Sequence, residues 1–369
     1  MGYKEDYKDL REVFLKYKRK DYFETYSSAD LFYVIGSLGD YAILTFIDQF
    51  FGEAKGLQCF FNRDGMNYVH DILSTNDEYS VTVGDCDSIV AVFKTRDMLT
   101  DIDIEFLNKM DKRKTKDNNL IIYRFKKGYR YTIASHKDIH TIATYGVFLD
   151  SLIENEREDI NNAFKDNDCV IASLNHEKKE YSCIYRPLPY LEDMPNRAPI
   201  NKQFVEEYEN HVYLNEECYI FTSYLPVAVK STGVRPLLLY FYYAGSNRME
   251  LRYILSSPKE YKNIIYGILD EIFTKIGLPY KMIINNRDLY TILTKTLDRL
   301  SIENVFERDN LKAGEDVSNL VSSVYQKTQD TLMEEEEIKE MFDFLIKAIG
   351  TLEDNYIEED MASENSFVS

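Results

Sequence analysis

The 369-residue sequence has no tryptophan, no proline before Pro187 and no two cysteines in CxxC spacing. Each absence narrows the field. Without tryptophan, aromatic packing falls to 30 Tyr and 21 Phe, a supply that argues against disorder over most of the chain. The five cysteines (Cys59, Cys86, Cys169, Cys183 and Cys218) are odd in number and scattered. That pattern speaks against a disulfide frame or a zinc ribbon and predicts the reduced thiols of a cytoplasmic protein. No window approaches the ~20 apolar residues of a membrane span. The opening MGYKEDYKDLREVF carries charges where a signal peptide would be apolar. A soluble, cytoplasmic protein with no membrane partner is expected.

Positive charge is also scarce: 44 Lys and Arg stand against 63 Asp and Glu, a formal net charge of -19. Two basic runs exist, KYKRK at 16–20 and KRKTK at 112–116. Both sit among acids and read as a helix end or a loop. The whole-protein field repels phosphate, so nucleic acid is not an expected partner.

What is present is a soluble globular composition, 44% apolar and 29% charged, on a chain long enough for two cores. Four of the eight prolines fall between Pro187 and Pro199, which favours extended backbone there and marks a boundary. The expected layout is an N-terminal α+β domain over 1–186, a proline-rich connection at 187–203 and a second domain over 204–328. An amphipathic helix over 329–350 and a disordered acidic tail over 351–369 follow.

In the first half, Tyr3, Tyr7, Leu10, Phe14 and Tyr17 keep helical spacing. LFYVIG and YAILTFI flank a turn at Ser37-Leu38-Gly39-Asp40 and read as a hairpin. SIVAVF is a further strand. Thr100 with Asp103, and Ser135 with Asp138, fit capping boxes, the second opening a helix with Ile139, Ile142, Ala143, Gly146, Leu149 and Ile153 on one stripe. CVIASL and YSCIY flank the polar turn NHEKKE.

In the second half, VRPLLLYFYYA and MELRYILS read as a hairpin around Gly245-Ser246-Asn247-Arg248. Ser257, Pro258 and Glu260 open a helix with Tyr261, Ile264, Ile265, Ile268, Leu269, Ile272, Phe273 and Ile276 on its apolar face, stopped by Gly277 and Pro279. Strand KMII, a helix with Leu289, Ile292, Leu293, Leu297 and Leu300, and a strand at Val305-Phe306 complete a β-β-α-β-α-β unit. EEEEIKEMFDFLIKAIG is a helix with Ile338, Met341, Phe342, Leu345 and Ile349 apolar and its acids near the favourable N-terminus. The last nineteen residues, TLEDNYIEEDMASENSFVS, hold six acids and no base.

This β-β-α-β-α-β order, with GLP entering a strand and NNRD leaving it, resembles the ribonuclease-H-like core of retroviral-type integrases and transposases over about residues 234–320. RPLLLYFYYAGS, SSPKEY, GLPYKMIINNRDLYTIL, SIENVF, FKTRDMLTDID and YRFKKGYRYTIASHKDI are also similar to a two-domain family of bacterial proteins of unknown function. That second likeness implies a bacterial origin and a domain layout, with no catalytic residues to carry over.

The integrase-like likeness implies three carboxylates around two metal ions, which neutralise charge on the entering and leaving oxygens. On VRPLLLYFYYA the middle residues are Tyr240, Phe241, Tyr242, Tyr243 and Ala244, with no acid; at the end of KMII stand Asn285 and Asn286. An amide holds a divalent cation far more weakly than a carboxylate. Glu315 and Asp316 lie downstream, where a third ligand would fall. Asp288 is expected to cap the following helix.

His136 and His140 are four apart but lack the glutamate of a metalloprotease helix, and His70, His176 and His211 add no third-ligand spacing. Asp101, Asp103 and Glu105 could suggest a calcium or magnesium site, and read more simply as first-turn acids. GDCDS at 84–88 places Cys86 between carboxylates, which disfavours a thiolate. No GxSxG, P-loop or GxGxxG occurs. No catalytic, cofactor-binding or metal-binding residue is therefore assigned. The leading expectation is a non-enzymatic bacterial protein acting through protein–protein contacts. A divergent metal-dependent nuclease or hydrolase on the ribonuclease-H-like core is the alternative, and an acidic mimic of nucleic acid a third.

Overall fold

The computed structural model describes residues 3–36, 41–50, 54–61, 65–66, 68–69, 86–110, 115–175, 180–187, 198–307 and 331–347. The chain divides into two units: Met1–Lys127 with Tyr131–Glu192, and Gly128–Arg130 with Asp193–Ser369. Both are mixed α/β.

The first unit is built on one eight-stranded sheet. Its strands are β1 (Phe32–Ile35), β2 (Tyr41–Phe50), β3 (Ala54–Phe61), β4 (Ser88–Lys94), β5 (Asn119–Phe125), β6 (Thr132–Ile133), β7 (Cys169–Asn175) and β8 (Glu180–Arg186). Their order is β6-β5-β4-β3-β2-β1-β7-β8, antiparallel throughout except for the parallel β1/β7 pair. β3, β5 and β6 add to the strands expected from the sequence. The turns expected at 37–40 and 176–179 lie outside the described residues.

Helices α1 (Tyr3–Arg19), α2 (Tyr22–Thr25), α3 (Asp101–Met110) and α4 (His136–Lys165) contribute to one large core with the sheet. The helical spacing of α1 buries Tyr7, Leu10, Phe14 and Tyr17. Two of these phenols find backbone acceptors, Tyr7 OH on Leu120 O at 2.9 Å and Tyr17 OH on Gly146 O at 2.6 Å, as buried tyrosines require. Gly146 is small for a reason: a Cβ there would stand 2.9 Å from Leu10 Cδ1, so α1 and α4 approach over it. Ser135 and Asp138 form the expected reciprocal box at the start of α4.

The second unit contains α5 (Lys202–Tyr208), β9 (Tyr213–Tyr224), β10 (Val227–Val229), β11 (Leu237–Tyr243), β12 (Arg248–Ile254), α6 (Tyr261–Lys275), β13 (Leu278–Ile284), α7 (Arg287–Arg299), β14 (Glu303–Phe306) and β15 (Thr331–Met333), with helix α8 over 335–347. Its main sheet has the order β12-β11-β9-β13-β14. β12/β11 and β11/β9 are antiparallel, while β9/β13 and β13/β14 are parallel. The sheet thus starts one strand before the expected hairpin, and β9 takes its centre.

Alternation along β11 explains why LLLYFYY is apolar without a break. Leu237, Leu239, Phe241 and Tyr243 share a core with α5, α6 and α7, whereas Leu238 and Tyr240 share one with α8. A strand buried on both faces needs apolar residues at every position. Gly277 ends α6 at φ +123, where a side chain would be strained and would meet Leu214 at 2.7 Å.

The apolar side of α8 closes onto its own unit: Ile338 and Phe342 are fully buried, and Phe342 stacks on Tyr253 at 3.9 Å. Glu337 accepts from the Glu334 N–H at 2.8 Å, satisfying one free donor at the helix start. Ile349 and the acidic tail lie outside the described residues.

Burial also sets an alkaline limit. Burial, outweighing the nearby Arg157, pushes the Tyr26 phenol up to about 12; burial first, then the hydrogen bond to Asp270, does the same for Tyr208. Unfolded tyrosines ionise near 10. Stability from these groups is therefore complete below pH 10 and falls as pH rises from 10 towards 12, because only the unfolded chain releases the proton there. Urea unfolding at pH 9, 10 and 11 should give a midpoint that declines only above 10.

Candidate functional site

In open sheets with parallel strands, ligands collect outside the carboxyl ends of the strands, where the connections diverge. In the second unit that place is the end of β9 and β13, whose register sets Ile284 beside Ile220. The chain leaving β13 continues this pairing, with Asn285 N–H donating to Ile220 O at 3.2 Å.

Three neutral side chains occupy this strand end. Asn285 Oδ1 accepts from Thr222 N–H at 2.8 Å and from Thr222 Oγ1 at 3.2 Å. Asn286 Nδ2 donates to the same Oγ1 at 3.0 Å. The result is a directed chain, Asn286 to Thr222 to Asn285, in which the hydroxyl accepts once and donates once. Asn286 Oδ1 then accepts from the N–H groups of Asp288 and Leu289 at 3.0 and 3.1 Å, so it is the N-cap of α7.

This corrects two expectations. Asp288 is not the cap: it lies in the first turn, and Asn286, two residues earlier, has the extended φ of −105 and the bonded side chain that a cap requires. The strand bearing Tyr240 is not the opening strand of the sheet: β9 precedes it and lies beside β13, and the residue meeting the asparagines is Thr222. β9 does carry acids, but they are used elsewhere: Glu217 accepts from Tyr219 and Tyr280 at 2.8 and 3.0 Å and faces Lys281, which together hold its carboxyl below its usual range.

A divalent cation held by oxygen needs negatively charged donors whose lone pairs are free. Asn285 Oδ1 already accepts twice, and neither amide carries charge. Around the three residues lie Arg287, whose guanidinium covers the Phe306 ring at 4.6 Å, and the buried pair Tyr261 OH to Tyr224 OH at 3.1 Å. Burial, with a smaller contribution from Asp288, raises the Tyr261 phenol and keeps it neutral. Glu315 and Asp316 lie outside the described residues.

Replacing Asn286 with alanine removes both the cap and the donor to Thr222. It should cost about 1 kcal/mol for the cap with about 1 kcal/mol more for the lost internal hydrogen bond. Chemical unfolding checks the value; Asn286→Asp, which keeps the capping oxygen, should lose less.

The other sequence candidates are dispersed. His136 stacks on Tyr3 at 3.5 Å, and His140 Nδ1 lies 3.2 Å from Asp6, so each imidazole is engaged with α1. His211 packs near the Tyr208 ring; His70 and His176 lie outside the described residues. Glu105 pairs with Lys109, and Asp103 is a first-turn acid boxed with Thr100, as expected, and more besides. It is fully buried, its Oδ2 3.0 Å from Lys94 Nζ and its Oδ1 2.5 Å from Tyr123 OH. Asp87 turns to Arg124, 3.2 Å away, and Asp85 lies outside the described residues. Lys16 and Lys20 of the first basic run pair with acids of α4, and 112–114 of the second lie outside the described residues. Among the described residues, no three His, Cys, Asp or Glu side chains are grouped to hold a metal.

All five cysteines are free thiols. Burial pushes Cys183 up to about 11 and Cys169 up to about 12, which disfavours thiolate chemistry. Among the described residues, no helix is long and apolar enough to cross a membrane.

Sequence comparison finds no matching family model and no matching curated protein. Among solved structures, the chain is similar to the HTLV-2 integrase catalytic core domain in complex with magnesium. Its dimeric form is 8% identical and its trimeric form 9%, each match covering 32% of this chain and 76% of that one with a TM-score of 0.24. A chain of the simian T-cell lymphotropic virus intasome is 11% identical over 33% of this chain and 45% of its own, with a TM-score of 0.23.

Proposed function

We propose that this is a non-catalytic, cytoplasmic bacterial protein that acts through protein–protein contacts, its second unit a ribonuclease-H-like scaffold without two-metal chemistry. Support for the scaffold comes from the chain's own topology: three antiparallel strands (β9, β11, β12), then two parallel strands (β13, β14) with α6 and α7 between them. One observation carries the non-catalytic reading. The strand end where such chemistry needs converging carboxylates holds Thr222, Asn285 and Asn286, bonded to one another and to the start of α7. The free thiols and the acidic charge of -19 fit a cytoplasmic protein that does not seek phosphate.

Incubation of the pure protein with single- and double-stranded nucleic acid and magnesium or manganese should give no turnover, while affinity capture of the full chain should retain a protein at fixed stoichiometry. Metal-dependent cleavage that disappears in Asp288→Asn or Glu315→Gln would replace this reading with that of a divergent nuclease.

A further inference from the structure

The three sheets present six outer strands among the described residues, and five are poor templates for further pairing. β6 has two residues, β10 and β15 three each, and β14 four beginning with Glu303. β12 places Arg248, Glu250 and Arg252 at alternate positions. Short length and charge are the devices by which sheets discourage edge-to-edge association. β8 has neither. Its seven residues pair with β7 without a bulge, and the stretch Tyr181-Ser182-Cys183-Ile184-Tyr185 contains no charge, proline or glycine. Ile184 is 50% exposed, and no described strand pairs with the outer side of β8.

The geometry points to β8 as a self-pairing edge: two copies of this chain join antiparallel about a two-fold axis at Cys183, continuing the eight strands of one copy into the eight of the other. The occupant follows from the order of residues. In the antiparallel register that pairs all seven positions, the acid that begins the strand at 180 stands opposite the base that ends it at Arg186, once at each end. Tyr181 faces the other copy's Tyr185 twice, and Cys183 faces its own equivalent. Opposite charges and aromatic pairs are the favourable cross-strand combinations. A parallel arrangement would set acid on acid and base on base. A two-fold axis makes the same patch serve both copies, as a closed dimer requires.

Light scattering on the full chain should return twice 43.4 kDa, and Ile184→Lys, at a half-exposed position, should return the single mass with an unchanged circular dichroism spectrum. Opposed residues in an antiparallel pair lie about 4.5–5.5 Å apart at Cα, inside the range a disulfide spans. Mild oxidation with a copper–phenanthroline complex should therefore trap a covalent dimer in the native chain and none in Cys183→Ser. The inference fails if the native chain stays at 43.4 kDa up to several hundred micromolar. It fails equally if a dimer forms that neither Ile184→Lys disrupts nor Cys183 cross-links. Neither result bears on turnover at the Thr222–Asn285 strand end, so the two proposals stand or fall separately.

Discussion

Asp103→Asn should destabilise the first unit by about 3–5 kcal/mol, the cost of leaving one member of a buried ion pair without its partner. Asp103 is 0% exposed and Lys94 5% exposed in their side chains, with Oδ2 and Nζ 3.0 Å apart. The carboxylate also accepts from Tyr123 OH and from the Thr100 N–H, so it ties the end of β4, the start of α3 and β5 into one network. An asparagine is nearly the same shape and keeps one oxygen, for Tyr123 or for Thr100, which bond different oxygens of the carboxylate. What it cannot do is neutralise the ammonium, which also lies over the Tyr123 ring at 5.1 Å. Lys94 then faces an amide in place of the carboxylate, and the lost attraction inside the protein carries the free-energy penalty.

The double variant Lys94→Met/Asp103→Asn distinguishes loss of charge balance from loss of shape. With the ammonium gone, the amide no longer faces a buried cation, and most of the lost stability should return. Denaturant unfolding of the single and double variants at neutral pH measures the coupling. A single variant within about 1 kcal/mol of the native chain, well under the 3–5 expected for a buried pair, would mean that water reaches this network.

The contrast between Asp103 and Asp288 shows what spacing can and cannot reveal. For Asp103 the capping box with Thr100 was legible, since both halves lie within four residues, but burial against Lys94 and Tyr123 was not, because those groups come from two other strands. For Asp288 the helix start was legible but off by two: Asn and Asp are comparably good caps, and only the backbone angles at Asn286 choose between them. Helices α1 and α6, and α4 as far as Ile153, were legible because a helix writes its buried face into local periodicity.

β9 was not legible for a related reason. Its first half, Tyr213 to Glu217, is partly exposed and carries two acids, so it lacks the apolar signal that marked β11. Without β9 the sheet had the wrong opening strand, and Thr222 went unnoticed although Asn285, 63 residues later, was singled out. The parallel β1/β7 pairing was hidden in the same way. Contacts of long sequence separation leave no period to read.

Phe342→Ala should release α8 from the second unit before the rest of that unit unfolds. Phe342 is fully buried, stacked on Tyr253 with 12° between the ring planes, in a cluster with Leu238, Tyr240, Leu251 and Ile283. Emptying a buried phenylalanine site costs about 3–5 kcal/mol. Among the described residues the other anchors of the helix are Ile338, Met341 and Leu345, the three-residue β10/β15 ladder, and the exposed Lys230–Glu334 pair, which adds almost nothing in solvent. A loss of that size exceeds what so few contacts can absorb, so the segment should open as a local unit. Amide exchange over 331–347 should then rise to near the unprotected rate while β9, β11 and β13 stay protected, and dye binding should report the uncovered sheet face. Truncation before residue 330 should have the same effect with lower solubility. If either change left exchange, dye binding and solubility as in the native chain, α8 would not be the cover of this face, and its apolar side would again be available to a partner.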